Sequence, residues 1–279
     1  MNAASPIDLH MHTTRSDGRL TPSELVRLVA AQGIGIAAIT DHDSTEGLDE
    51  AFAEAARHPG LHLVPGIEIS ADHPLDQGDL HVLGYFLDYH DAAFQTQLRA
   101  FRDGRLDRAK LMVEKLGELG VPVEWERVKE IAADASVGRP HIAQAMVERG
   151  YIGNTREAFD GYLQDGGKAH ISRPHLSLGE SVKLIKSVGG VAVLAHPLYA
   201  KEYQELLPRL AGLGVAGMEV HYAEFNPVQR IGLARLADRH GLLPCGGSDY
   251  HALGLPGENL PGSAGPPAEV FHKLEDLAR

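Results

Sequence analysis

Short apolar runs alternate with amphipathic stretches through roughly the first hundred residues and again through the last hundred, the mark of βα units built around a parallel sheet. Ile7 to His10, Ile36 to Thr40, Leu63 to Glu68 and Leu80 to Tyr85 read as strands, as do Val191 to His196, Gly217 to His221 and Leu242 to Gly246. Helix starts are marked between them: Thr21 as N-cap with Pro22 and Glu24, Ser177 with Glu180, and Asn226 with Pro227. From Phe94 to about Lys168 the alternation stops and helix follows helix: Phe94 to Leu119, Trp125 to Ala132, Pro140 to Arg149 and Thr155 to Leu163. The chain therefore divides into a barrel over residues 1–96 and 168–279 and a helical insertion over 97–167. A closed or nearly closed α/β barrel fits the strand pattern. An open doubly wound sheet is the alternative, but it would be expected to place a glycine-rich phosphate loop after the first strand, and none follows His10.

Ligand-type residues collect at the C-terminal ends of these strands, the rim where α/β barrels build their sites. Strand one ends in Asp8-Leu9-His10-Met11-His12, strand two in Thr40-Asp41-His42-Asp43 and strand three in Gly66-Ile67-Glu68. Later strands end in Ala195-His196-Pro197, Glu219-Val220-His221 and Gly247-Ser248-Asp249-Tyr250-His251. His10 and His12, two apart on extended backbone, project to one side, and Asp249 and His251 do the same. Nitrogen and carboxylate donors without thiolates suit zinc, manganese, iron or cobalt, and a carboxylate such as Glu68 can bridge two ions. Asp17, in the turn Arg15-Ser16-Asp17-Gly18, returns over the rim, and His81 near the start of strand four is a less obvious member. A lone His-x-His would say little; several independent clusters at strand ends point to a metal site. Of the 16 histidines, His58, His62, His73, His90, His240 and His272 fall in helix tails or polar loops and are expected at the solvated surface.

With Lys+Arg 26 against Asp+Glu 38, the net charge of −12 excludes sequence-independent gripping of duplex DNA. Any nucleic-acid substrate would have to be met locally, at a site. The single cysteine, Cys245, allows no intramolecular disulfide. No leader with an apolar core is seen, and no apolar run approaches the ~18 residues of a membrane span, so a cytoplasmic location and no membrane partner are expected.

In order along the chain, Asp8-Leu9-His10-Met11-His12, Ser16-Asp17-Gly18, Thr40-Asp41-His42-Asp43, Gly66-Ile67-Glu68, His81, Ala195-His196-Pro197 and Ser248-Asp249-Tyr250-His251 resemble the motifs of the PHP (polymerase and histidinol phosphatase) metallohydrolases. The resemblance implies a distorted (β/α)7 barrel with a trinuclear metal centre. It implies that His10, His12, Glu68 and Asp249 hold a first metal, that Glu68 bridges to a second held by His81 and His196, and that Asp17, His42 and His251 hold a third. Asp17 stands where histidinol phosphatases of the family tend to carry histidine. That hard ligand favours manganese, with iron, magnesium or zinc as alternatives and two or three ions per chain. The helical insertion, with Gly138-Arg139-Pro140-His141 and Gly166-Gly167-Lys168-Ala169-His170, is most similar to the TrpH-like branch, which includes nucleoside 3′,5′-bisphosphate phosphatases and 5′→3′ exonucleases of short RNA.

That resemblance implies a phosphomonoesterase removing the 3′-phosphate of a nucleoside 3′,5′-bisphosphate, with water activated between two metals and Asp249, His196 and Glu68 as the catalytic set. Exonuclease action on short RNA and histidinol phosphate hydrolysis are the alternatives within phosphoesterases. An amidohydrolase or deaminase is the alternative from another class, though no strand end carries the lysine such barrels usually add. The insertion is expected to act as a lid. Arg139, His141, Lys168 and Arg173 are candidate phosphate contacts, as are Ser16, His221 and Tyr222 at the rim, the last able to stack on a base.

Overall fold

A computed structural model describes residues 5–75, 79–132, 137–164, 166–171, 176–254 and 257–279. The chain forms two compact units, Met1–Gln95 with Leu176–Arg279, and Thr96–His175.

In the first unit the strands β1 (Ile7–Asp8), β2 (Ile36–Ile39) and β3 (His62–Asp72) are separated by the helices α1 (Pro22–Ala31) and α2 (Leu48–Ala55), and β4 (Asp79–Tyr85) follows β3 directly. α1 starts where its capping box lies: Thr21 accepts from the Glu24 amide and the Glu24 carboxylate accepts from the Thr21 amide. α3 (Ala92–Glu118) then leads into the second unit, where α4 (Trp125–Ala132), α5 (Arg139–Glu148) and α6 (Thr155–Ala158) run into a π-helical turn over Phe159–Leu163. Back in the first unit come β5 (Leu176–Ser177), α7 (Leu178–Ser187), β6 (Val191–Leu194), α8 (Tyr203–Leu213), β7 (Gly217–Tyr222), α9 (Pro227–Arg239), β8 (Leu243–Gly247) and α10 (Ala268–Leu277).

The strand order β1-β2-β3-β4-β6-β7-β8 curls into a nearly closed barrel, with the short β5 pairing the outer end of β3. β8 meets β1 where the segments beyond both strands join: the Asp249 amide donates to the His10 carbonyl at 2.8 Å and the His12 amide to the Tyr250 carbonyl at 2.9 Å. All neighbours along this path are parallel except β4, which runs antiparallel to both β3 and β6. The link from Asp72 to Asp79 is too short for a crossover helix, so the chain turns straight back. This reversal puts the start of β4, and His81 with it, at the end of the barrel where the parallel strands finish. Ile7, Leu9, Ala38, Val64, Leu83, Tyr85, Val193 and Cys245 fill one core with Phe271 and Leu274 of α10. Leu25, Val26 and Val29 of α1 join Leu48 and Ala51 of α2 in a second core against β2.

The second unit has its own core, in which Leu116, Val128, Ile142, Met146, Leu163 and Ala169 are buried. Arg108 donates to the Ile171 carbonyl at 2.8 Å and Lys115 to the His170 carbonyl at 3.0 Å, tying residues 168–171 to α3. That segment, which the sequence pattern assigns to the barrel, packs with the helices instead. Among the described residues no helix is long and apolar enough to cross a membrane.

Candidate metal centre

At the rim of the barrel the side chains of His10, His12, Asp17, His42, Glu68, His81, His196, Asp249 and His251 converge. His10 Nε2 lies 3.1 Å from His12 Nε2, 3.3 Å from Glu68 Oε2 and 3.2 Å from Asp249 Oδ1. His12 Nε2 lies 3.2 Å from the same Glu68 oxygen and 3.0 Å from the same Asp249 oxygen. A tetrahedron of donors with metal bonds of about 2.0–2.1 Å has edges of about 3.3–3.4 Å, so these atoms stand close to the spacing that one ion such as zinc or manganese requires.

The other Glu68 oxygen faces a different group. Oε1 is 2.8 Å from His81 Nδ1 and 3.1 Å from His196 Nε2, and those nitrogens are 3.3 Å apart. A third gathering is looser: Asp17 places Oδ1 3.2 Å from His251 Nε2 and Oδ2 3.7 Å from His42 Nε2, while His42 Nδ1 reaches Glu68 Oε2 at 3.1 Å. Neutral imidazoles and hard carboxylate oxygens crowded this closely fit divalent metal ions, and the groups His12–Asp17–His42–His251, His10–His12–Asp249 and His42–Glu68–His81 each have the proximity to hold one.

Electrostatics in the metal-free protein agree with that crowding. Burial works against the charged form of His10, but Asp249, Glu219 and Glu68 outweigh it and hold its pKa well above the ordinary value. Burial opposes charge on His251 too, and Asp17 and Asp249 push its pKa up to about 10. Conversely burial would raise Glu68, yet His42, His81 and His10 hold it well below the usual carboxylate range; Asp249 is lowered likewise by His10 and His251. Such reciprocal shifts are what an anionic and imidazole-rich cage shows when protons take the place of cations.

Buried groups that sequence reasoning left without a role hold the cage. Asp8, pushed up to about 6 by burial, accepts from the amides of His10, Ser248 and Gly262 at 3.3, 2.9 and 2.8 Å. Asp41 accepts from the Thr13 amide at 2.7 Å and from the Thr13 and Ser16 hydroxyls at 2.6 Å. Glu219 accepts from the His196 amide at 2.8 Å and lies 3.0 Å from His10 Nδ1. His196 and Asp249 have backbone φ of +22° and +55°, a region where non-glycine residues store strain, and their amides are pinned by Glu219 and the His10 carbonyl. The one sequence signal for these residues is a carboxylate inside an otherwise apolar strand or beside a ligand.

Several expected substrate contacts have partners within their own unit. Ser16 is fully buried, its hydroxyl given to Asp41, so it serves the turn that presents Asp17. Tyr222 is buried, donates to Asp249 Oδ2 at 2.7 Å and packs its ring near His10 and His196, so its hydroxyl orients a carboxylate of the cage. A β-bulge between Glu219 and His221 shifts the strand register. Glu219 and Tyr222 therefore share the inner face, and His221 turns away to a half-buried position beside Arg230, which with burial lowers its pKa. His73, expected at the surface, is buried, with Nε2 donating to the Lys201 carbonyl at 2.9 Å and Nδ1 accepting from the Leu75 amide. Arg139, His141 and Lys168 belong to the second unit, where Arg139 opens α5, His141 Nδ1 accepts from the Gly138 amide and the Lys168 ammonium lies 5.3 Å over the Tyr162 ring. Arg173 lies outside the described residues.

Comparison with known proteins agrees with this geometry. The PHP domain profile matches residues 8–98. A 3′,5′-nucleoside bisphosphate phosphatase of Chromobacterium violaceum is 34% identical over 259 residues, 91% of this chain and 90% of that protein. The 5′-3′ exoribonuclease Rnm of Salmonella typhimurium is 34% identical over 255 residues, 90% of this chain and 86% of its own. A crystal structure of a proposed metal-dependent phosphoesterase from Bifidobacterium adolescentis superposes with a TM-score of 0.84 at 33% identity, covering 97% of this chain and 96% of that one. With a bridged cage of histidines and carboxylates at the rim of its barrel and relatives matched along nearly their whole length, the chain belongs to the PHP family of metal-dependent phosphoesterases.

Proposed function

We propose that this protein is a phosphomonoesterase that removes the 3′-phosphate of a nucleoside 3′,5′-bisphosphate, leaving the 5′-monophosphate and free phosphate. The observation that carries the reading is Glu68, whose two oxygens each face a separate set of histidines. The phosphatase from Chromobacterium violaceum supports the substrate class. Held by His10, His12, Glu68 and Asp249 and by Glu68, His81 and His196, with Asp17, His42 and His251 as a third set, divalent ions would neutralise phosphoryl charge and bring the pKa of water toward neutrality.

The chain itself supplies placement and a proton acceptor. Asp249 lines a cavity of about 300 Å³ with Tyr222, Glu224, Ser248, His251 and Asn259, a size for a nucleoside fragment and too small for a duplex. Its Oδ1 faces the histidines while Tyr222 fixes Oδ2, so the carboxylate stands oriented at the cavity wall to accept the proton of the attacking water. His196, locked by Glu219, and Glu68 hold their positions through the reaction, and the acidic exterior keeps long polyanions away.

The test is phosphate release by manganese-loaded protein from a panel of phosphomonoesters and 5′-phosphorylated oligonucleotides, with Asp249→Asn as blank. Release from the bisphosphate at least tenfold above that from other monoesters is expected. Background release across the panel would overturn the reading. The exoribonuclease relatives, at the same identity, favour a second reading on short RNA, which would appear as mononucleotides leaving a 5′-phosphorylated oligomer one after another.

A further inference from the structure

Resting on that metal centre, we infer that Glu219 is a positioning residue that decides which nitrogen of His10 faces the metal site and that ties the two donor groups together from behind. Glu219 is fully buried in β7, and each of its oxygens has its own partner. Oε2 accepts from the His196 amide at 2.8 Å, a bond with only one possible direction because a backbone N–H can only donate. Oε1 lies 3.0 Å from His10 Nδ1. A buried carboxylate accepts there, so Nδ1 keeps its hydrogen, and in the neutral ring that binds metal Nε2 turns its lone pair toward His12 Nε2, Glu68 Oε2 and Asp249 Oδ1. His10 belongs to the group gathered at Glu68 Oε2, and His196 to the one gathered at Oε1. Glu68 thus joins the two groups in front and Glu219 joins their supports behind, holding His196 in its strained backbone conformation at φ +22°.

Glu219→Gln should therefore act on the two donor groups unequally. The amide keeps the size of the carboxylate but has one accepting atom and one donating group. The His196 N–H cannot change role, so the Gln oxygen stays with it and the Gln NH2 faces His10 Nδ1. That nitrogen must then accept, the hydrogen moves to Nε2, and His10 loses the lone pair directed at the first group. Manganese titrations followed by the free-ion EPR signal, with anomalous density from manganese-soaked crystals to separate the positions, should show at least a tenfold weaker affinity at His10–His12–Asp249. The position at His81–His196 should stay filled, and Glu219→Asp, one methylene too short to reach both partners, should weaken both. Equal filling of both positions in Glu219→Gln and in the unsubstituted protein would overturn the inference, whereas a failure of the unsubstituted protein to bind manganese would overturn the metal centre itself. If Glu219→Gln does not fold, the zinc-loaded unsubstituted protein labelled with 15N-histidine gives the same answer: His10 must show a protonated Nδ1, and a bare Nδ1 sinks the idea.

Discussion

Asp249 divides its carboxylate between two duties, with one oxygen turned to His10 and His12 and the other accepting from Tyr222. Tyr222→Phe keeps the ring that packs near His10 and Phe225 and removes only the hydroxyl. Manganese affinity is expected to fall roughly tenfold with little loss of stability, the size of effect seen when a partner orienting a ligand is lost. A titration indistinguishable from the unsubstituted protein would show that this hydrogen bond does not orient Asp249. His10 with His12 and Asp249 with His251 were legible in the sequence as pairs at strand ends, and His42, Glu68 and His196 as single ligand-type residues there, whereas His81 at the start of β4 was the less obvious member. Glu219, Asp8 and Asp41 were not legible, since what a buried carboxylate does depends on which amides face it from strands distant in sequence. His221 and Tyr222 face different ways for a related reason: period-two reasoning assumes a regular strand, and the bulge after Glu219 shifts which residues share a face.

Among the elements, closure between β8 and β1 leaves almost no space. A Cβ on Gly247 would lie 2.4 Å from His10 Cβ and 2.5 Å from its amide nitrogen, contacts with backbone and a fixed ligand that cannot swing aside. Gly247→Ala is therefore expected to destabilise the protein by about 3 kcal/mol and to displace His10, to be read by denaturant unfolding. A loss below about 1 kcal/mol would mean that the seam yields more easily than its packing indicates. Helix starts were the most legible elements, because Thr21, Ser177 and Asn226 announce them by chemistry that acts within one turn. α2 has Gly47 at its N-cap with no side-chain cap and gave no such signal. The direction of β4 was also hidden from hydrophobic pattern, which is the same read either way, and the reversal explains how a histidine at the beginning of a strand joins others found at strand ends.

For the molecule as a whole, the cage links stability to pH and metal. In the metal-free protein His10, His12 and His251 have pKa values raised above 6.5, so the stability they contribute is complete below about that pH and is lost as pH rises through their folded values, to about 10 for His251. Asp17, Glu68 and Asp249 are lowered, so theirs is present above the ordinary carboxylate range and lost in acid. Chelator-treated protein should therefore melt at steadily lower temperature from pH 6.5 toward 10. Manganese, which binds deprotonated ligands, should raise the melting temperature most at the alkaline end of that range. Thermal melts with and without chelator check both limbs, and a metal-free melting temperature that climbs between pH 6.5 and 9 would contradict them. The seam described above also fixes when the cage can come into being. His10 and His12 leave the ribosome long before Asp249 and His251, and the two pairs meet across the strand-to-strand bonds that shut the barrel. Metal binding at the first group of donors therefore waits for the barrel to close: a polypeptide cut short before Ser248 lacks the Asp249 carboxylate that completes that group.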